Sequence, residues 1–319
     1  MKKEIMQKNS EDGAVLVTGS AGFIGKRLIK NLSDNGKTVV SVYHYRLPEP
    51  LNNVYPVCSD LGSCELLAAP LRGVDTVVHL AWEKNFQGPK DVIEVDPEYL
   101  NPPRNVLLIR NLVKAMELAG TKRIIFLSAN GASRTSENLF LKEKYYAEFS
   151  ILNSNIPEKI IIRPGIVYDG NRNHDRFINS ILNIMRFPFI YPIPNCSEGI
   201  SPLFLDDLIT IISNSIDLEM TDSCAVIGAL GPEKIAVEEI FKIIFDRHVK
   251  GTKIQLGGFL GDKCISFIEK KTKVSQNMPT ISDFLKLGMN RSESLSISTP
   301  YLERLFPKDF QKFKEALNL

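Results

Sequence analysis

The stretch from Ala14 to Gly25, AVLVTGSAGFIG, constrains this chain more than any other: a short apolar run, glycines at Gly19, Gly22 and Gly25, then the amphipathic FIGKRLIKNL. The run has strand length and the segment after it has helical spacing, so the glycines fall on a strand-to-helix turn. Gly19 permits a backbone conformation that other residues resist, Gly22 lets the main chain approach a ligand closely, and Gly25 lets the new helix sit tightly against the sheet. The free N–H groups of the first helical turn, with the helix dipole behind them, favour an anion. An ordinary tight turn would use the same glycines. A strand before them and an amphipathic helix after them favour a pyrophosphate cradle, built from Gly19, Ser20, Ala21, Gly22, Phe23 and Ile24.

Further short, β-branched runs follow at Thr38 to Val42, Thr76 to Leu80, Arg123 to Leu127 and Lys159 to Ile162, each brief enough for a strand buried on both faces. Between them lie helical segments. The clearest is Asn105 to Ala119, with Val106, Ile109, Val113 and Met116 on one stripe and Gly120 at the stop position. Strands alternating with helices of this length imply right-handed crossovers and an α/β fold, a Rossmann-type doubly wound parallel sheet. Residues 1–170 are expected to form a dinucleotide-binding domain, the first 12 as a tail. After Gly170 the alternation fails at the aromatic, proline-rich FPFIYPIP, Phe187 to Pro194, which reads as a covering region. Leu205 to Ile216 then has helical spacing and Cys224 to Ile227 reads as a strand, so 201–230 is expected to return to the sheet. The rest of 171–319 is expected to form a smaller substrate-binding cap.

Lys and Arg number 39 against 37 Asp and Glu, with no long block of one sign, which argues against a nucleic-acid groove or a membrane-surface protein. No run approaches the roughly 20 apolar residues of a membrane span. The amino terminus, MKKEIMQKNSEDG, lacks the apolar stretch of a secretory signal. Cys58, Cys64, Cys196, Cys224 and Cys264 are odd in number and form no CxxC pair or Cys/His cluster, so reduced thiols in or near the core are expected, and no metal site. His174 has no Asp or Cys partner at informative spacing. A cytoplasmic protein is the expectation.

About 20 residues past the glycines, an acidic side chain at the end of the second strand would hold the adenosine ribose of NAD. Here that place holds Tyr43, followed by His44, Tyr45 and Arg46. No carboxylate is available, and Arg46 suits the 2′-phosphate of NADP, unless it is a solvated loop charge. NAD or NADP is expected, tilted slightly towards NADP.

On these residues the chain resembles the extended branch of the short-chain dehydrogenase/reductase superfamily, the group of NAD-dependent sugar-nucleotide epimerases and dehydratases. TGSAGFIG matches that family's TGxxGxIG, and Asp60 with Leu61 matches its adenine-contacting pair. His79, Leu80 and Ala81, with Trp82 after them, match the strand end beneath the cofactor. Asn105 matches NxxGTxNLL, although Leu108 and Ile109 stand at its Gly-Thr. Arg163, Pro164, Gly165 and Tyr168 match RPxxVYG beside the nicotinamide. The resemblance also implies a homodimer through the helices bearing Asn105 and Lys144.

The catalytic residues depart from the pattern. The family's YxxxK places a general acid/base Tyr and a Lys on one face of a helix. Here the segment is FLKEK: Lys144 is present, followed by Glu148, and the tyrosine position is Phe140. Tyr145 and Tyr146 lie about 100 and 200 degrees round the helix from Lys144. Packing or surface roles suit them better than substitution for the missing tyrosine. In LSANGA, Ser128 fills the first Ser position and Ala129 the catalytic one. The usual diphosphate-clamping Arg before SPLFLDDL, with its Asp206 and Asp207, is Ile200. Arg172 and Arg176 are the candidate substitutes, or else solvated loop charges. The leading expectation is therefore an NAD(P)-binding, epimerase/dehydratase-like protein acting on a sugar nucleotide or related polar metabolite through a non-standard site. The alternatives are a non-catalytic dinucleotide sensor or structural subunit, and a reductase of an apolar carbonyl compound suggested by FPFIYPIP.

Overall fold

The strand Ala14–Thr18 sends Val15 and Val17 into one hydrophobic core and Leu16 into another, the alternation of a strand covered on both faces. In the computed structural model the described residues are 13–83, 102–136, 138–171, 175–185, 189–194, 199–249, 254–271 and 302–317. Along them the order is β1 (Ala14–Thr18), α1 (Phe23–Asp34), β2 (Val39–Tyr43), β3 (Val54–Cys58), α2 (Cys64–Leu67), β4 (Val74–His79), α3 (Arg104–Ala119), β5 (Arg123–Leu127), α4 (Leu139–Leu152) and β6 (Glu158–Pro164). The order continues with β7 (Val167–Tyr168), α5 (Arg176–Met185), β8 (Ile190–Pro192), β9 (Gly199–Ile200), β10 (Leu203–Phe204), α6 (Leu205–Ile216) and β11 (Cys224–Ala229). Then come β12 (Ile235–Ala236), α7 (Val237–His248), β13 (Ile254–Leu256), α8 (Gly258–Lys271), α9 (Leu302–Leu305) and α10 (Phe313–Ala316).

Seven strands form one sheet in the order β11-β6-β5-β4-β1-β2-β3, and all its pairings are parallel. This is the Rossmann-like α/β architecture expected from the alternation. Strand order reverses between β1 and β4, which opens a crevice at the carboxyl ends of the strands. Leu28, Ile29 and Leu32 of α1 and Leu208, Ile209 and Ile212 of α6 share a core with Val15 and Val17. On the other face, Leu16 packs with Leu67, with Ile109, Leu112 and Met116 of α3, and with Ala147 and Ile151 of α4. Each of these large side chains contributes about 1.5–3 kcal/mol by leaving water, so Ile109→Ala is expected to cost about 2–5 kcal/mol.

The stop at Gly120 follows the sequence pattern. Its φ is 71°, and the N–H groups of Gly120 and Thr121 donate to the carbonyls of Glu117 (3.3 Å) and Met116 (3.0 Å). That pair of bonds satisfies two orphan carbonyls of α3 in a Schellman motif. At the start of α4, the Asn138 side chain accepts from the N–H groups of Phe140 (3.0 Å) and Leu141 (3.4 Å), an N-cap worth about 1 kcal/mol.

Several elements lie where the sequence offered no strand or helix, β3 and α5 among them. β3 carries Pro56 and an exposed Tyr55 and sits at the sheet edge, where a missing N–H is tolerated. α5 buries Phe177, Ile178, Ile181, Leu182 and Met185 in a third core with Tyr168, Tyr191, Ile193, Ile200, Ile240, Phe241 and Phe313. Its helical spacing is masked in the sequence by the aromatic and proline-rich run that follows. Within that run Tyr191 and Ile193 belong to this core, while Phe189 is exposed. The expectation of cysteines in or near the core fails for Cys58 and Cys224, which are exposed because both stand on edge strands.

Candidate dinucleotide site

At the end of β1 the chain turns through Gly19, whose φ is 70°. A Cβ on Gly19 would stand 2.7 Å from the Ala81 nitrogen, and one on Gly25 2.2 Å from the Gly19 oxygen. The cradle is thus pinned between the end of β4 and its own helix. Gly25 packs α1 onto the loop that precedes it, not onto the sheet as its spacing suggests. The Gly22 N–H donates to the Gly19 carbonyl at 2.9 Å, and α1 starts without a side-chain cap. Its first N–H groups remain available to an anion. The Ser20 hydroxyl is buried and donates to the Val42 carbonyl at 3.2 Å. Phe23 and Ile24 pack their side chains against the α1 core.

Thr18 joins the two central strands beside this turn. Its Oγ1 accepts from the N–H groups of Leu80 (3.2 Å) and Ala81 (3.3 Å) and lies 2.7 Å from Nδ1 of His79. With its lone pairs taken, the hydroxyl proton goes to Nδ1, which assigns His79 as the neutral Nε2–H tautomer. Burial, then the nearby Lys144, holds the His79 pKa down to about 3. At the other side of the crevice, Tyr43 is half-buried, and His44, Tyr45 and Arg46 are exposed. Asp60 accepts the Gly62 N–H at 2.8 Å within its own turn, and Leu61 is buried.

Lys144 occupies the far side, at the end of β5. It is 5% exposed, and its ammonium donates to the Leu127 carbonyl at 2.7 Å. Three aromatic rings enclose it: Trp82 at 3.7 Å from the ring centroid, Phe126 at 4.7 Å and Phe140 at 5.6 Å. Burial draws the lysine pKa down to about 7, opposed by Glu148 and Glu143. Phe140 therefore does more than lack a hydroxyl: its ring, 37% exposed and edge-on to Trp82 at 5.9 Å, helps close the cage. Asn105 props the loop that carries Trp82, accepting from the Glu83 N–H (2.9 Å) and donating to the Glu83 carbonyl (3.0 Å) and to Glu143 (2.9 Å).

Ser128 does not meet Lys144 as a catalytic partner would. Its hydroxyl donates to Glu148, whose carboxylate is also bound by Arg163, with Nε at 2.9 Å. Ala129 is buried beside it. Tyr145 and Tyr146 are half-buried and stack edge-on with each other at 5.5 Å. Pro164 is buried at the end of β6, and Tyr168 is wholly buried against Phe204 and Phe313. Ile200 lies in the third core, so a charged clamp at that position would be buried. Asp206 pairs bidentately with Arg27 at 2.6 Å, joining α6 to α1, and Asp207 accepts the Gln311 N–H at 3.0 Å from the segment before α10. Arg172 and His174 lie outside the described residues, and Arg176 opens α5.

The aromatic cage, the Thr18–His79 contact and the Ser128–Glu148–Arg163 cluster were not assigned from sequence. Arg163 and Glu148 stand in recognisable motifs, but their pairing spans two elements and has no local signature. Among the described residues no cluster of His, Cys, Asp and Glu could hold a metal ion, and no helix is long and apolar enough to cross a membrane. A cavity of about 760 Å³ opens at the opposite, amino edge of the sheet, lined by Val15, Lys37, Arg123 and Asp217 among others. Its charges pair with one another, Lys37 with Asp217 at 2.7 Å and Arg123 with Glu158 at 2.7 Å, and it is remote from the cradle.

Residues 15–144 match the model of the NAD dependent epimerase/dehydratase family. A 3-beta-hydroxysteroid dehydrogenase of Mycolicibacterium neoaurum is 33% identical over 123 residues, 37% of this chain and 32% of its own length. The family relatives of that kind are thus matched over about a third of their length. Among solved structures, MoeE5 in complex with UDP-glucose and NAD superposes with a TM-score of 0.59 at 23% identity, covering 78% of this chain and 87% of its own. WbmG of Bordetella bronchiseptica in complex with NAD gives 0.63 at 14% identity, covering 98% and 94%. These likenesses establish the shared fold, and both neighbours hold NAD.

Proposed function

We propose that this chain binds NAD or NADP across the carboxyl ends of β1, β2, β4 and β5. The glycine cradle carries the reading: Gly19 and Gly25 leave no room for a side chain, and α1 presents main-chain donors without a side-chain acceptor. Gly19 to Ile24 would hold the pyrophosphate, Tyr43 and Arg46 the adenosine ribose, and Asp60 with Leu61 the adenine. Leu80, Ala81, Trp82, Asn105, Lys144 and Pro164 would surround the nicotinamide half. Arg46 and the lack of a carboxylate at the end of β2 favour NADP slightly. The likeness to proteins holding UDP-glucose and NAD supports a sugar nucleotide or related polar metabolite as substrate, with Arg172 and Arg176 as candidate phosphate partners. The bound dinucleotide would supply or accept hydride. Phe140 has no proton to offer, so turnover would draw one from water, from a substrate group, or from Tyr145 or Tyr146.

Titration with NADH and NADPH, followed by nicotinamide fluorescence, tests the binding reading, and failure to bind either would sink it. Phe140→Tyr tests the rest: epimerase or reductase activity gained by that change alone would mean that the remaining site is competent.

A second reading, binding without turnover as a sensor or structural subunit, is favoured by the enclosure of Lys144 and the engagement of Ser128 by Glu148. It requires partner binding that changes with cofactor occupancy. The homodimer expectation is supported by Leu107 and Leu118 on α3 and by Leu139, Phe149 and Leu152 on α4, all exposed apolar side chains on paired helices. Light scattering of the protein and of Phe149→Glu would test it, since a monomer in both cases removes the proposal.

A further inference from the structure

The charge around Lys144 has a consequence for which form of the dinucleotide the site accepts. This inference rests on the reading that the chain binds a nicotinamide dinucleotide. The adenosine half of such a ligand lies towards the second strand, and the other half crosses the point of strand reversal towards β4 and β5. Lys144 stands at that end.

The groups facing its ammonium come from five places. From β4, His79 is neutral, because Thr18 donates to its Nδ1. From the loop after β4 comes the face of Trp82, and from β5 the ring of Phe126 and the Leu127 carbonyl. From α4 come Phe140, Glu143 and Glu148. From β6, Arg163 reaches Glu148 and matches its charge, and Ser128, just past β5, donates a further bond to the same carboxylate. Glu143 accepts from Asn105, and burial raises its pKa against that bond and the nearby lysine. Among the described residues Lys144 makes no ion pair. Its charge is held by ring faces and one carbonyl, which stabilise a cation without cancelling it. A tyrosine at position 140 would bring a titratable oxygen to this place; phenylalanine brings none.

We infer that the site holds NADH and NADPH more tightly than NAD+ and NADP+. An oxidised nicotinamide brings a second positive charge to the end of β5, where Lys144 already supplies one that makes no ion pair among the described residues. In a partly desolvated site such repulsion corresponds to about tenfold or more in affinity. The preference belongs to the protonated lysine, so it weakens as pH rises through the lysine's own titration. It also gives the sensor reading a physical basis, since occupancy would follow the reduced fraction of the pool.

The test is a set of binding titrations with all four dinucleotides from pH 6 to pH 9, using nicotinamide fluorescence for the reduced forms and calorimetry for the oxidised ones. The native protein is expected to favour the reduced forms by about tenfold or more at pH 6, and progressively less above pH 7. Lys144→Met, which keeps an apolar chain inside the cage, is expected to bring the two forms near parity at pH 6. Phe140→Tyr is expected to move the balance towards the oxidised forms at alkaline pH. Parity or an oxidised preference in the native protein at pH 6 overturns the inference, as does a preference that Lys144→Met leaves intact. Should Lys144→Met not fold, the pH series decides alone, because a constant ratio from pH 6 to pH 9 excludes Lys144 as the cause. Failure of all four to bind at any pH overturns the dinucleotide reading itself, a result distinct from equal binding.

Discussion

The ammonium of Lys144 sits 3.7 Å above the centroid of the Trp82 ring, and Trp82 is the one tryptophan of the chain. Cation and indole are coupled electrostatically, so tryptophan emission reports directly on the protonation of this lysine. A fluorescence pH titration is expected to show a transition with a midpoint near 7, the pKa to which burial draws Lys144. Lys144→Met should remove it. A transition that survives the substitution would assign it to another group.

Linkage gives the same lysine a second signature. Its folded pKa lies below the unfolded value of about 10.4, so the unfolded chain binds more protons between the two and stability rises with pH there. The contribution is fully present above the unfolded pKa and is lost as pH falls through about 7. Melting temperatures between pH 6 and pH 10 are expected to climb more steeply for the native protein than for Lys144→Met.

His79 acts similarly at lower pH. Buried and neutral, with a folded pKa of about 3 against an ordinary value of about 6.5, it supports the fold above pH 6.5 and withdraws that support as pH falls towards 3. His79→Asn keeps an acceptor for Thr18 but has no titration, so its acid unfolding profile should be flatter in that window.

Arg123 is an anchor with no bearing on the dinucleotide. It donates to the carbonyls of Ser215 (3.0 Å), Ile216 and Leu218 (2.6 Å) at the end of α6 and pairs with Glu158. Arg123→Ala strands buried carbonyls and a carboxylate together, and a loss of about 3–5 kcal/mol is expected in urea unfolding. NADH affinity of the folded fraction should be unchanged.

Arg46 decides the phosphate question. If it meets the 2′-phosphate, Arg46→Ala should weaken NADPH by about 1.5–3 kcal/mol, the range for a hydrogen bond to a charged group, and leave NADH unaffected. Equal small effects on both cofactors would return Arg46 to the solvent.

Gly19→Ala tests the cradle. The φ of 70° disfavours a side chain, and the new Cβ would press on the Ala81 main chain at 2.7 Å. A loss of about 1–3 kcal/mol in stability and of measurable dinucleotide binding is expected.

Much of this protein is determined locally. The glycine spacing of TGSAGFIG, the short apolar run of Ala14 to Val17, and the stripe ending at Gly120 each rest on interactions within a few residues, which is why they can be read from the sequence. Phe140 and Ala129, at the motif positions where the resemblance leads one to expect tyrosine and serine or threonine, are equally visible, because they are identities at single positions. What Phe140 does instead was decided only by the fold. Trp82, Phe126, Phe140 and Lys144 come from a loop, a strand and a helix that meet once the parallel sheet is assembled. The same holds for Ser128, which the sequence offers as a catalytic candidate and the fold gives to Glu148 and Arg163. Local patterns fix elements because their energetics are short-ranged, whereas the burial and pairing of a charge depend on neighbours that only tertiary packing supplies.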